Sequence, residues 1–184
     1  MPDDEFAPAA LPVPRNWRKV YEICVVCLGN ICRSPMAEVL IRAEVAGAGL
    51  AGRVSVESAG TGDWHLGEPM DRGARAELAR RGHDGSAHRA RQIGADWLPR
   101  FDLLLATDER NLRNLRLMAA GRLDLADRIR LLRSFDQKAP AGSEVPDPYG
   151  GSAETFAETY ELIDSAAKGL VGQLAVMLAG PPGE

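Results

Sequence analysis

The chain has 184 residues, 45% of them hydrophobic and 26% charged, with a net charge of −4 at pH 7. That length supports one α/β domain with a sizeable core, and no run approaches the roughly 18 apolar residues needed to cross a bilayer. So mild a charge gives no reason to expect nucleic acid or an anionic membrane as a partner.

In chain order, residues 1–19 read as a flexible proline-rich tail. Pro2, Pro8, Pro12 and Pro14, with an acidic start, oppose regular structure there, and Trp17 is expected to cover the domain that follows over 20–180. The start lacks the basic and apolar regions of a secretory signal. Cys24, Cys27 and Cys32 fall within nine positions, too close together for a structural disulfide framework. A cytoplasmic location is expected, and 19 arginines against three lysines fit a GC-rich bacterial genome.

Val20–Val26 reads as a strand, Pro35 to Gly47 as a helix and Arg53–Ser58 as a second strand. Asp71 is the expected N-cap of a helix running to Arg81. Phe101–Thr107, with three successive leucines, reads as a strand buried on both faces. A helix over Asp108–Ala119, a fourth strand over Arg128–Leu132, a loop from Arg133 to Gly151 and a helix over Ala153–Leu178 complete the chain. Strands separated by helices imply a parallel sheet with right-handed crossovers, so ligands are expected beyond the carboxyl ends of the strands.

The first strand ends in the most informative stretch, Cys27-Leu28-Gly29-Asn30-Ile31-Cys32-Arg33-Ser34-Pro35. A thiol and a guanidinium with five residues between them, at a strand-to-helix turn, make a cradle for a tetrahedral oxyanion. Loop amides and the helix N-terminus favour negative charge there, and the same field favours a thiolate. Arg33 can grip two oxygens at once. Only Cys27 has an arginine six positions on; Cys24 meets Asn30 and Cys32 meets Glu38. Gly29 and Asn30 tolerate positive φ, Ser34 can donate to the Cys27 thiolate, and Pro35 suits the first turn of a helix. The chemistry implied is phosphoryl transfer to sulfur.

With Ser58-Ala59-Gly60-Thr61, Ala87-His88-Arg89-Ala90-Arg91-Gln92 and Asp147-Pro148-Tyr149 following in order, the chain resembles the low-molecular-weight protein tyrosine phosphatases over residues 20 to 180. The resemblance implies a four-stranded parallel sheet in the order 2-1-3-4 with helices on both faces, no metal or organic cofactor, and a phosphotyrosine-containing protein as substrate. It implies that Cys27 is the nucleophile, Arg33 the phosphate clamp and Asp147 the general acid and base. Leu28, Gly29, Asn30, Ile31, Cys32 and Ser34 would form the phosphate-binding loop. Asn30, Ser34, Ser58 and His88 would form the network beneath it, and Trp64 and Tyr149 the aromatic rim. In the family, a residue at the position of Cys32 protects the nucleophile through a reversible disulfide. Asp108 and Asn111 match a helix cap and its support; His65 and His83 read as surface residues, and Cys24 as core. Trp97 reads as a core or cover residue.

Tyr149 is followed by Gly150-Gly151, where many relatives carry a second tyrosine. Two rival activities share the cradle. Arsenate reduction would need an external thiol, because no cysteine follows Cys32. Arginine dephosphorylation uses a smaller polar residue where Ile31 stands. A phosphotyrosine-binding module without turnover is the third reading. Oligomeric state is open.

Overall fold

The computed structural model describes residues 10–180. Strand β1 (Tyr21–Cys27) lies between β2 (Val54–Gly60) and β3 (Leu103–Ala106), and β4 (Ile129–Leu131) borders β3. The four strands form one parallel sheet in the order β2-β1-β3-β4. Helices α1 (Arg33–Gly47), α2 (Arg72–Arg80), α3 (Glu109–Met118), α4 (Leu123–Ala126) and α5 (Ala153–Leu178) surround it.

The period-2 alternation of a strand sends its side chains into two cores. Tyr21, Ile23 and Val25 of β1 join Leu103 and Leu105 under α1, α2 and α5. Cys24 and Val26 join Leu104, Ala106 and the buried Leu112 and Leu115 of α3 on the opposite face. Helices therefore cover both sides, which is why β1 and β3 read as continuous apolar runs. Cys24 is core, as expected.

Boundaries moved where hydrogen bonding, rather than hydrophobicity, decides them. β3 is shorter than the leucine run suggested, although the ladder continues through Asp102 N–H to Glu22 C=O (2.8 Å) and Thr107 N–H to Val26 C=O (3.1 Å). β2 runs on to Gly60, in register with Cys27. Asp71 caps α2, accepting from Gly73 N–H (2.7 Å) and Ala74 N–H (3.3 Å). The long segment after β4 opens with a 3₁₀ turn, Leu132–Phe135, whose Leu132 and Phe135 are buried in the α1–α5 core.

Of the expected tail, residues 1–9 lie outside the described residues. Residues 10–19 are irregular, as their prolines require, and they are tied to the sheet. Arg15 pairs with the buried Asp102 (2.9 Å) and with Glu22 (2.9 Å), and it also donates to the carbonyls of Pro99 and Arg100. Tyr21 Oη donates to Pro12 C=O (3.0 Å) and Leu11 packs against the core. No helix among the described residues is long and apolar enough to cross a membrane.

The sheet order reverses direction between β1 and β3, and the crevice of a parallel sheet opens at such a switch point. Cys27 ends β1 there, with Gly60 on one side and Ala106–Thr107 on the other.

Candidate active site

The loop from Leu28 to Cys32 carries the chain from β1 into α1, and helical geometry begins at Arg33. Cys32 occupies the N-cap position without a capping side chain, so the first-turn amides of α1 receive no side-chain cap. Asn30 is the one non-glycine residue with positive φ among the described residues (φ 55°). This turns its amide toward Cys27 Sγ (3.3 Å). Ser34 Oγ lies 3.0 Å from the same sulfur and 3.3 Å from Ala59 C=O. The nucleophile candidate therefore sits between a backbone donor and a hydroxyl.

Gly29 has a different role from the one its residue type suggested. It does not adopt positive φ; a Cβ there would stand 2.9 Å from His65 Cδ2. The glycine makes room for an imidazole. Gly60 serves the loop in a similar way, since a Cβ would approach Leu28 C=O (2.8 Å) and Asn30 N (3.0 Å).

Asn30 is fully buried and uses its whole amide. Its Nδ2 donates to Ser34 Oγ and Ser58 Oγ (2.9 Å each), and its Oδ1 accepts from Arg91 N–H (2.8 Å). Ser58 Oγ donates to Glu38 (2.6 Å), and His88 Nε2 donates to Asn30 C=O (2.6 Å). Burial lowers the His88 pKa from the ordinary histidine value, and the hydrogen bond to Asn30 only partly offsets this. The ring is therefore neutral near pH 7, with its proton on Nε2. The four expected network residues do meet, joined by Glu38 and the Arg91 backbone. A carboxylate one helical turn after Ser34 was the available signal for Glu38.

Arg33 is buried and anchored from the side of α3. Its Nη1 pairs with Asp108 (2.6 Å) and donates to Val145 C=O (3.1 Å), while Nη2 reaches Asp147 (3.1 Å). Asp108 also caps α3 through Asn111 N–H (2.7 Å). Nε of Arg33 is buried without an acceptor among the described residues. Val145 N–H bonds Thr107 C=O (2.8 Å), which pins the segment carrying Asp147 to the end of β3.

A pocket of about 90 Å³ opens above the cradle, with Cys27 and Arg33 in its floor and Ile31 and Cys32 beside them. Trp64, His65, Asp147 and Tyr149 form its wall. His65, expected at the surface, instead stands between the two aromatic residues. Its ring centroid is 6.4 Å from that of Trp64 and 6.1 Å from that of Tyr149, and its Nδ1 meets Glu68 (2.6 Å). The three cysteines are free. Burial, its largest cause, raises the Cys32 pKa strongly, and the Asp71 carboxylate adds to it, so Cys32 stays a thiol. Among the described residues no group of three or more His, Cys, Asp or Glu side chains converges to hold a metal ion.

Fold and site together define an α/β protein whose first strand ends in a cysteine beside a buried arginine, at the carboxyl edge of a parallel sheet. Residues 22–178 match the profile of the family described as low molecular weight phosphotyrosine protein phosphatase. A low molecular weight protein-tyrosine-phosphatase of Streptomyces coelicolor is 45% identical over 161 residues, 87% of this chain and 97% of that protein. The crystal structure of YfkJ from Bacillus subtilis superposes with a TM-score of 0.78 at 35% identity, covering 87% of this chain and 96% of that one. Wzb of Vibrio vulnificus, solved in complex with benzylphosphonate, gives 0.71 at 28% identity over 83% of this chain and 97% of that one. The chain belongs to the low-molecular-weight protein tyrosine phosphatase family, and its enzyme class is that of the hydrolases.

Proposed function

We propose that this enzyme hydrolyses phosphotyrosine in proteins through a cysteinyl-phosphate. One observation carries the reading: Cys27 Sγ, held at 3.0 Å by Ser34 and 3.3 Å by the Asn30 amide, lies beneath Arg33 in a pocket rimmed by Asp147, Trp64 and Tyr149. The sulfur attacks phosphorus as the bond from phosphorus to the phenolic oxygen breaks, and Asp147 gives that oxygen its proton. Water then attacks phosphorus, Asp147 takes up a proton from the water, and the S–P bond breaks to release inorganic phosphate. Loop amides and Arg33 stabilise the equatorial oxygens in both steps.

The Arg33–Asp147 contact fits this sequence. A phosphate dianion competes for Nη2 and takes the free Nε, so Asp147 is released from the guanidinium. Flat aromatic walls suit a phenyl phosphate, and the benzylphosphonate held by Wzb is a ligand of that shape. Ile31 at the pocket wall favours tyrosine over arginine phosphate.

Cys32 is the candidate redox partner. Peroxide oxidises Cys27 to a sulfenic acid with release of water, and Cys32 then displaces the second water to form a disulfide that an external thiol reduces. Such chemistry and three free cysteines favour a reducing, cytoplasmic setting. Residues 20–180 form the catalytic domain in this reading.

The test is hydrolysis of p-nitrophenyl phosphate in EDTA by wild type, Cys27→Ser and Asp147→Ala. Wild type should turn over, Cys27→Ser should be inert, and Asp147→Ala should be slower by about 10²–10⁴. A silent, fully reduced wild type would remove the phosphatase reading in favour of a binding module or thiol-dependent arsenate reduction.

A further inference from the structure

Helix α3 presents two faces. Asn111, Leu112 and Leu115 are buried against the sheet. Arg110, Asn114, Leu117 and Met118, at the i, i+4, i+7 and i+8 positions of an adjoining face, line a separate groove of about 390 Å³, with Met118 also packing against the core. Its remaining wall includes Leu28 and Trp64, which also line the catalytic pocket, so the groove adjoins that pocket across the indole. Leu117 is 73% exposed and Trp64 59%. Single exposed apolar residues need no explanation, but these two face one groove together with Met118 and Leu28.

Arg110 is the one charged residue in the lining of this groove; it is exposed and makes no ion pair among the described residues. Arg110 borders both this groove and the cleft leading to Arg33 and Asp147. Glu144, across that cleft, is engaged by the Glu109 amide (2.7 Å). Negative charge is therefore favoured on the α3 side and disfavoured beside Glu144.

We propose that this groove is a specificity subsite for the polypeptide flanking the phosphotyrosine, taking an apolar side chain against Leu117, Met118 and Trp64 and a carboxylate on Arg110. The proposal rests on the phosphatase reading above and names its preferred substrate class: phosphotyrosine in an acidic, apolar sequence context. Two features favour a peptide here. The groove adjoins the pocket that takes the reacting residue, and its free guanidinium complements a carboxylate. A small aryl phosphate fills the pocket without entering the groove.

The test compares phosphotyrosine peptides carrying Glu and Leu at the flanking positions with matched peptides carrying Lys and Ser. The ratio of their kcat/KM values is taken within each variant, so that any general loss of activity cancels. Wild type should favour the Glu/Leu peptide by about five-fold, the scale of an exposed ion pair plus a partly covered leucine. Arg110→Glu should invert the charge preference toward the Lys peptide, and Leu117→Ser should remove the preference for Leu alone. Both effects should appear mainly in KM, and added salt should weaken the charge term. Equal ratios in wild type and Arg110→Glu, with both enzymes active on p-nitrophenyl phosphate, would overturn the subsite while leaving the phosphatase reading intact. Inactivity of wild type on every substrate would instead strike the reading on which the subsite rests.

Discussion

Asn30 is where backbone conformation and side-chain bonding meet, and the two can be separated by substitution. Its φ of 55° costs an L-residue other than Asn roughly 1–2 kcal/mol, and glycine almost nothing. Its amide makes three buried hydrogen bonds, to Ser34, Ser58 and Arg91 N–H. At about 1 kcal/mol each, their loss costs about 3 kcal/mol. Asn30→Ala should then lose about 4–5 kcal/mol and Asn30→Gly about 3 kcal/mol. For a protein whose total stability is of the order of 5–15 kcal/mol, both fall within reach of urea unfolding. Both variants should also lose p-nitrophenyl phosphate turnover, because the Asn30 amide and the Ser34 hydroxyl are what face Cys27. Wild-type midpoints and wild-type kcat in both variants would refute the view that this residue shapes the loop. Equal losses in the two would refute the contribution assigned to φ.

Two further outcomes follow from the neighbouring groups. Burial holds His88 neutral in the folded protein, with Glu38 opposing and Arg91 and Arg89 adding to the effect. The unfolded chain binds its proton first as pH falls past about 6.5. Stability should therefore decline from near neutral pH downward until folded His88 titrates, and His88→Gln should flatten that slope; equal slopes in urea midpoints would contradict the assignment. After peroxide treatment, wild type should recover with added thiol, whereas Cys32→Ser should lose Cys27 irreversibly to higher oxides. Full thiol recovery of Cys32→Ser would remove Cys32 from the redox role.

The strands and the cradle motif were legible because both are written locally, whereas the sheet order came only with the family resemblance. Apolar runs of strand length separated by amphipathic stretches mark β1 to β4, and the spacing from Cys27 to Arg33 marks the candidate anion site. What the sequence left hidden depends on residues far apart in the chain. Glu38 enters the network only because α1 packs beside β2, bringing its carboxylate to Ser58. His65 looked like a solvent residue in a polar loop, yet Gly29 yields space to its ring and Tyr149 faces it. The Arg15–Asp102 pair spans 87 positions, and no local pattern marks Arg15 out from the other arginines nearby. Gly29 was assigned to the right loop for a reason the backbone does not bear out: its missing Cβ matters, and its φ does not.

The proposed mechanism turns on a covalent bond between phosphorus and Cys27. Wild type should be mixed rapidly with excess p-nitrophenyl phosphate, quenched in acid within the first turnover, and mapped by peptide mass spectrometry. A burst of nitrophenolate stoichiometric with enzyme, and phosphate carried on Cys27 alone, is the predicted result. Phosphate on Ser34 or His88, or turnover that never labels the protein, would contradict it.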